Sequence, residues 1–569
     1  MKIVSTVVLI ILLNSAVAWL ANLPQEAGQD VPEGKLNSLS FAPFREGQSP
    51  MAGVFPTPAQ IEADLQLMSE KTHSIRTYAS AEGTMPVIPA LVRKYGLALI
   101  QGAWLGGEAK GNNKEIDELI RSANANPDVV KRVIVGNEVL LRGDLEPEEL
   151  IKYIREVKKA VKQPVSYADV WSMYMKYPEL IKEVDFITIH ILPYWEDEPI
   201  AVAQAPAHIA RIYQHVQQEA NAIAPNKPIL IGESGWPSEG RQRGWAVPSV
   251  VNEAKFIRGL IQVANANGFD YNIVEAINQS WKSELEGVVG ANWGLFSIDR
   301  KEVFPLTGKV YENPSWYKSL FASVSFFLIA VAACWKPLQN LPTLTRTALL
   351  VFLQVLTVLW VNQIELLWYT SYSDWQRLWV VIIVALNAVL GGLVFQRGYG
   401  LLTGQTATPK LAMGLYTIYM LFTGYAVFKT FSLAINGRYI SFPIEAATIP
   451  VIGMVGLMLA RYFTGGTKSF AAFELNDLIG YVNDKASQGK IMGYALLVTG
   501  GALIVGETYA FFASRDLILD HPEFSNRLGI AFNYTVTNRQ LLTWLGCLII
   551  LALPLLVGNK TASSKTQQD

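Results

Sequence analysis

A chain of 569 residues is too long for one ordinary core, and its net charge of -1 excludes a strongly basic nucleic-acid-binding surface and an acidic tail seeking a basic partner. Hydropathy divides it in two: up to about Tyr317 it reads as a soluble globular protein, and beyond that long apolar runs alternate with short polar connectors. Both cysteines, Cys334 and Cys547, fall in the apolar half, and the five histidines lack metal-ligand spacing, so neither a disulfide, a metal nor another cofactor is expected in the soluble half.

Residues 1–23 form a targeting segment, with Lys2 followed by an apolar run over 3–20 broken by Ser5, Thr6, Asn14 and Ser15. Ala16-Val17-Ala18 has the small-x-small form of a cleavage site, while the run is nearly long enough to stay as a signal anchor; in either case the next domain is exported. That domain, 36–318, alternates strands and helices. Strands are predicted at 39–44, 74–78, 98–103, 133–137, 165–168, 186–190, 229–233 and 272–278. Between them lie amphipathic helices. One carries Leu150, Ile154, Val157 and Val161 on a single face, with Pro147, Glu148 and Glu149 at its start and Lys158, Lys159 and Lys162 at its end; another runs from Val251 through Ala254, Ile257 and Ile261 to a stop at Gly268. Eight alternations over this length predict a (β/α)8 TIM barrel, and no Gly-rich phosphate loop follows the first strand to favour an open doubly wound sheet.

In such a barrel the strand C-termini open onto one face, where residues far apart in sequence can meet. The fourth strand ends in Gly136-Asn137-Glu138 and the seventh in Gly232-Glu233-Ser234-Gly235-Trp236-Pro237, so two strand ends each present a glutamate. Around them stand Arg45 and Glu46 after the first strand, Arg76 and Tyr78 at the second, Trp104 after the third, and Tyr167, Asp169 and Trp171 at the fifth. His190, Tyr194 and Trp195 follow the sixth strand, Trp236 the seventh, and Gln279, Trp281 and Lys282 the eighth. Two facing carboxylates are the minimal equipment for cleaving a glycosidic bond, and flat aromatics beside polar side chains suit the apolar faces and hydroxyl edges of sugars. The plainer alternative is that the aromatics cap the barrel core and the glutamates are strand-end acids held in ion pairs.

The second half, 319–559, is predicted to be an all-α polytopic membrane domain of about seven helices, with a polar tail at 560–569. Its apolar segments are 320–335, 348–368, 378–395, 411–431, 446–459, 491–512 and 541–557. With the barrel outside, the inner connectors hold Lys336, Arg346, Arg397, Lys410, Arg461, Lys468, Lys485, Lys490, Lys560 and Lys565, a positive-inside bias over the outer Arg377, Arg438, Arg515, Arg527 and Arg539. Glu365, Lys429 and Glu507 lie within apolar segments; either Lys429 snorkels to the interface, or it pairs with Glu365 or Glu507 around a polar pocket.

The stretches Val135-Gly136-Asn137-Glu138-Val139 and Gly232-Glu233-Ser234-Gly235-Trp236-Pro237 resemble the acid/base and nucleophile motifs of glycoside hydrolase family 17, the β-1,3-glucanases. The resemblance runs from about residue 38 to Trp293-Gly294-Leu295-Phe296 and covers none of the membrane half. Asn278-Gln279-Ser280-Trp281-Lys282 departs from the Asn-Glu-Asn-Gln-Lys of plant members: a carboxylate is lost, a Trp gained and the Lys kept. Ile189-His190-Ile191-Leu192-Pro193-Tyr194-Trp195 is similar to bacterial members. The resemblance implies a retaining enzyme with Glu138 as general acid/base, Glu233 as nucleophile and Asn137 at the sugar 2-hydroxyl, by double displacement. From their places at the strand ends, Arg76, Tyr78, Trp104, Tyr167, His190, Tyr194, Trp195, Trp236, Gln279, Trp281 and Lys282 are expected to contact the substrate, the alternative being structural hydrogen bonding and packing. The expected partners are a β-glucan, the lipid bilayer and a glucan synthase, in a multi-pass protein of a bacterial inner membrane with its catalytic domain on the periplasmic side. Water as acceptor gives hydrolysis and a second glucan gives transglycosylation, while a non-catalytic glucan-binding or sensing protein is the alternative from outside enzymology.

Overall fold

In the computed structural model, which describes residues 3–465, 470–481 and 486–557, eight parallel strands close into a barrel in sequential order. They are β1 (Leu36–Ser40), β2 (Thr72–Arg76), β3 (Ala98–Ala103), β4 (Val130–Asn137), β5 (Val165–Val170), β6 (Ile187–His190), β7 (Ile229–Ser234) and β8 (Asp270–Ile273). The chain divides into two units, Pro24–Glu312 with the barrel, and Met1–Leu23 together with Asn313–Asp569.

Every strand but β3 differs from expectation at one or both ends, β1 and β8 by the most. β1 begins earlier than predicted, Leu36 already pairing with Thr72, and stops earlier because Pro43 lacks a backbone donor, with Phe41 N still donating to Arg76 O of β2 at 2.8 Å. Past Ile273 only alternate amides still bond the neighbouring strands, Val274 N to Ser234 O and Ala276 N to Ser40 O, while Glu275 N donates to Trp293 O and Asn278 N to Phe296 O.

Local signals set the helices around the barrel. Thr57 and Gln60 cap each other reciprocally at the start of Pro58–Ser69, with Pro58 in the first turn, where its missing N–H costs nothing. Pro147–Ala160 buries Leu150, Ile154 and Val157, carries Glu148 and Glu149 in its first turn and Lys158 and Lys159 in its last, and ends with Val161 as cap. Ser249 caps Val250–Asn267, and Gly268 ends it at φ +69°, a left-handed conformation that favours glycine.

The other unit is helical. Among the described residues eight helices are long and apolar enough to cross a membrane: Ile3–Ala21, Trp316–Ala333, Thr343–Tyr369, Asp374–Thr403, Pro409–Asn436, Ile444–Thr464, Gly489–Phe512 and Arg539–Leu556. The stretch between the last two, expected as a connector, contains two further helices, Arg515–Asp520 and Phe524–Thr537. Both cysteines are free. The anticipated pairing of Lys429 with Glu365 or Glu507 is not formed: Lys429 is half-buried with its ammonium 6.0 Å from the Tyr425 ring centre, and Glu365 accepts from Asn313 and Ser319. Lys2, Lys468, Lys485, Lys560, Lys565 and the 560–569 tail lie outside the described residues.

Candidate active site

Alternation along a barrel strand sends successive side chains inward and outward, and two functional side chains depend on its interruption. Ile100, Ile134, Ala168 and Leu230 form a small apolar cluster of their own, whereas Val133, Val135, Val165, Tyr167, Ile229 and Ile231 join the main core beneath the helices. By parity Asn137 and Glu233 would follow Val135 and Ile231 outward. Register shifts between Ile134 and Asn137 on β4, and between Ile231 and Ser234 on β7, turn both toward Arg76 instead. Glu138 follows β4 at φ +53°, a left-handed backbone uncommon for a residue with a side chain.

The result is a tight array. One oxygen of Glu138, one of Glu233 and a ring nitrogen of His190 lie within 4.8 Å of one another. His190 Nδ1 and Glu138 Oε1 share a 2.9 Å hydrogen bond, and His190 Nε2 is 3.6 Å from Glu233 Oε1. Arg76 donates through Nη1 to Glu233 Oε1 at 2.8 Å and through Nη2 to Asn137 Oδ1 at 2.6 Å. The three atoms could geometrically hold a metal ion, but the Arg76 guanidinium already occupies the Glu233 oxygen with positive charge.

The two carboxylates differ in environment. The Glu138 side chain is 24% exposed and the Glu233 side chain 10%. Burial pushes the Glu233 carboxyl up, yet the charges of His190, Arg76 and Lys282 together outweigh it and hold that carboxyl below the usual range. Glu233 is thus kept ionised, while Glu138 keeps part of its side chain exposed to water.

Beside them is a polar layer of which sequence reasoning found only Lys282. Lys282 Nζ donates to both oxygens of Glu275 at 3.0 Å. Burial pushes the Glu275 carboxyl up to about 7, whereas burial of Lys282 is outweighed by Glu275 and Glu286, which keep the ammonium charged. The carboxylate absent from the 278–282 motif is therefore replaced by acids just before and after it. The signal available in the sequence was proximity: each lies within four residues of that motif.

The aromatic candidates separate into two groups. Trp104, at 37% exposure, and the half-buried Tyr78, Trp195 and Trp281 keep accessible surface. The Arg142 guanidinium lies 4.4 Å over the Trp104 ring, Trp195 stacks on Trp293 at 6.2 Å, and Trp281 donates to Gln279 Oε1 at 2.9 Å with Phe44 edge-on behind it. Tyr167, Tyr194, Trp236 and Gln279, by contrast, have no exposed surface and so do not line a cleft. Trp236 packs on Tyr194 and Phe256 and donates to Val247 O, Tyr194 donates to Arg241 O, and Gln279 donates to Ala42 O and Ile277 O. Tyr167 donates to Asp169. These four satisfy their own polar atoms inside the fold.

Comparison with known proteins points the same way. The family described as BtgE/BtgC glycoside hydrolase domain matches residues 38–294. A glucan 1,3-beta-glucosidase of Arthroderma benhamiae is 29% identical over 269 residues, which is 44% of this chain and 85% of that protein. One from Schizosaccharomyces pombe is 27% identical over 40% of this chain and 74% of its own length. The crystal structure of a family 17 β-1,3-glucanosyltransferase from Rhizomucor miehei is 27% identical, covers 47% of this chain and 95% of that one, and gives a TM-score of 0.41. All of these span less than half of the chain. Residues 38–294 are a glycoside hydrolase domain that matches the BtgE/BtgC model and is similar to glucan 1,3-beta-glucosidases.

Proposed function

We propose that the barrel cleaves β-1,3-glucan with retention of anomeric configuration, Glu138 serving as general acid/base and Glu233 as nucleophile. The observation that carries this reading is the approach of the two carboxylates to within 4.8 Å. Retaining enzymes hold their carboxyl groups ~5–5.5 Å apart, whereas inverting enzymes need ~6.5–9.5 Å to admit a water between them.

Glu138 gives its proton to the glycosidic oxygen as the bond to the anomeric carbon breaks, and a Glu233 oxygen bonds that carbon to form a glycosyl-enzyme. The leaving chain departs with the proton. Glu138, now ionised, takes a proton from the acceptor, whose oxygen displaces Glu233 from the anomeric carbon. Arg76 and His190 preserve the charge that Glu233 needs before each cycle. Asn137, held by Arg76, is available to the sugar 2-hydroxyl.

Water and a second glucan compete for the same intermediate, so hydrolysis and transglycosylation belong to one site. The accessible faces of Trp195 and Trp281 favour an acceptor sugar and hence a share of transfer. The eight apolar helices fit a membrane enzyme, and the basic residues of the alternate connectors support a multi-pass orientation in a bacterial inner membrane with the barrel on the periplasmic side. A glucan synthase that delivers chains to that side is the partner this placement calls for. A glucan-binding sensor would have no use for two carboxylates at this separation.

The test uses full-length protein in nanodiscs with laminari-oligosaccharides. Glu138→Ala and Glu233→Ala should each abolish turnover, and wild-type products should include chains longer than the substrate. A Glu233→Ala protein that cleaves at the wild-type rate overturns the assignment, and products that are all shorter exclude transfer.

A further inference from the structure

The turn that carries Glu138 is braced from behind by β5. Glu138 caps the one-turn helix Val139–Arg142, yet its side chain satisfies none of that helix's free amides. Those amides find partners on β5 instead: Leu140 N donates to Tyr167 Oη at 3.0 Å and Leu141 N to Asp169 Oδ2 at 3.3 Å. Tyr167 also donates its hydroxyl to Asp169 Oδ2, and Val170 N donates to Asp169 Oδ1 at 2.8 Å. Tyr174 fixes the strand in turn, donating to Tyr167 O at 2.6 Å. Asp169 and Tyr167 have no exposed surface, so substrate does not reach them.

From this arrangement we infer that Tyr167 and Asp169 are positioning residues for the acid/base carboxyl: they hold the left-handed turn at Glu138 in the conformation that aims its proton at the glycosidic oxygen. The inference rests on the assignment of Glu138 made above. Left-handed backbone at a non-glycine residue is unfavourable and persists only where its surroundings enforce it. Here three donors converge on one carboxylate, which must accept at both oxygens. Asparagine, with an NH2 at one end, turns a donor against a donor. The groups facing Asp169 are Tyr167 on its own strand, Glu138 after β4, His190 on β6 and Tyr174 beyond β5. Burial pushes the Asp169 carboxyl up to about 6, the bonds from Tyr167 and Val170 opposing it, so near neutral pH it accepts at both oxygens.

A misplaced general acid hurts most when the leaving group needs a proton. The experiment therefore compares kcat/KM, which reports formation of the glycosyl-enzyme, for a laminari-oligosaccharide and for a 2,4-dinitrophenyl β-laminaribioside whose leaving group departs unprotonated. Full-length Asp169→Asn and Tyr167→Phe proteins should lose about 10- to 100-fold on the oligosaccharide and less than about 2-fold on the aryl glycoside. Glu138→Gln sets the reference pattern, at about 100-fold or more against a small loss. Equal losses on both substrates, or none on either, overturn the positioning role while Glu138→Gln keeps its selectivity. Loss of selectivity in Glu138→Gln itself overturns the parent assignment, and the positioning role with it. Should Asp169→Asn not fold, Tyr167→Phe decides alone, since it removes one hydroxyl and leaves the carboxylate in place.

Discussion

Replacing Arg76 with methionine tests the electrostatics of the site most directly. Arg76 is 1% exposed and bonded to Glu233, so its removal strands a buried carboxylate. Breaking one side of a buried pair costs roughly 3–5 kcal/mol, which for a barrel of this size is a melting shift of about 10 °C. The sign of the pH dependence is as informative as the size. In the wild type the Glu233 carboxyl lies below its ordinary range, so its contribution to stability is complete above the unfolded value and lost as pH falls through the folded one. Without Arg76 burial prevails and the carboxyl rises, so ionising it then costs stability as pH climbs. The deficit of Arg76→Met should therefore widen from pH 5 to pH 8. A unit charge at about 4 Å in a medium of effective dielectric ~20 is worth about 4 kcal/mol, which bounds the displacement of the acidic limb of kcat/KM at about 3 pH units upward. Thermal melts and pH–rate profiles of the full-length protein in nanodiscs read both effects. An unmoved acidic limb with unchanged stability would refute the argument that Arg76 keeps Glu233 ionised.

Glu275 provides a second pH test: with its carboxyl raised to about 7, ionisation costs stability as pH climbs from the ordinary carboxyl range through that value, so Glu275→Gln should melt with a shallower decline over this window. An identical slope in wild type and variant would contradict it. Trp236→Phe, which strands Val247 O and opens space beside Tyr194, should lower stability by about 1–3 kcal/mol with KM for laminari-oligosaccharides unchanged; a raised KM without destabilisation would restore Trp236 as a sugar platform. Two glycines form a matched pair. A Cβ on Gly235 would stand 2.1 Å from Val274 O, so Gly235→Ala should destabilise by about 1–3 kcal/mol or more, while Gly111→Ala, in helix Ala109–Ala125 with open space around it, should be neutral or stabilising by about 1 kcal/mol in chemical denaturation.

The periodicity of the chain exposes the barrel because each strand is a short apolar run and each helix a 3.6-residue stripe, as in Ile229 to Ile231 and Leu150 to Val157. The glutamates stand out for a different reason: each follows such a run after a glycine. Depth is harder to read. Trp236 and Trp281 both sit just beyond strand ends, yet one is sealed by Tyr194 and Phe256 and the other keeps an open face, and this difference is decided by residues far away in sequence. Glu275 escaped notice because it lies in a segment that alternation assigned to β8, whereas its amide bonds Trp293. Asp169 was visible as a strand-end acid, but its clasp on Leu141 requires knowing that β5 lies beside β4.

The register shifts on β4 and β7 have a consequence for how such an enzyme can be lost. Each inserts an irregularity just ahead of Asn137 or Glu233, and a deletion of one codon in either stretch would restore unbroken alternation. Regular pairing would be, if anything, easier for the sheet. On β7 Glu233 already stands opposite His190, so deleting Gly232 would leave the carboxylate facing inward but remove Gly232 O, which accepts from Arg76 Nη1 at 3.1 Å and from Asn272 Nδ2 at 2.9 Å. Barrel closure and glycosidic chemistry are thus encoded in separable parts of the same strands: the sheet can close without the extra residue, whereas the anchoring of Arg76 beside Glu233 uses its carbonyl.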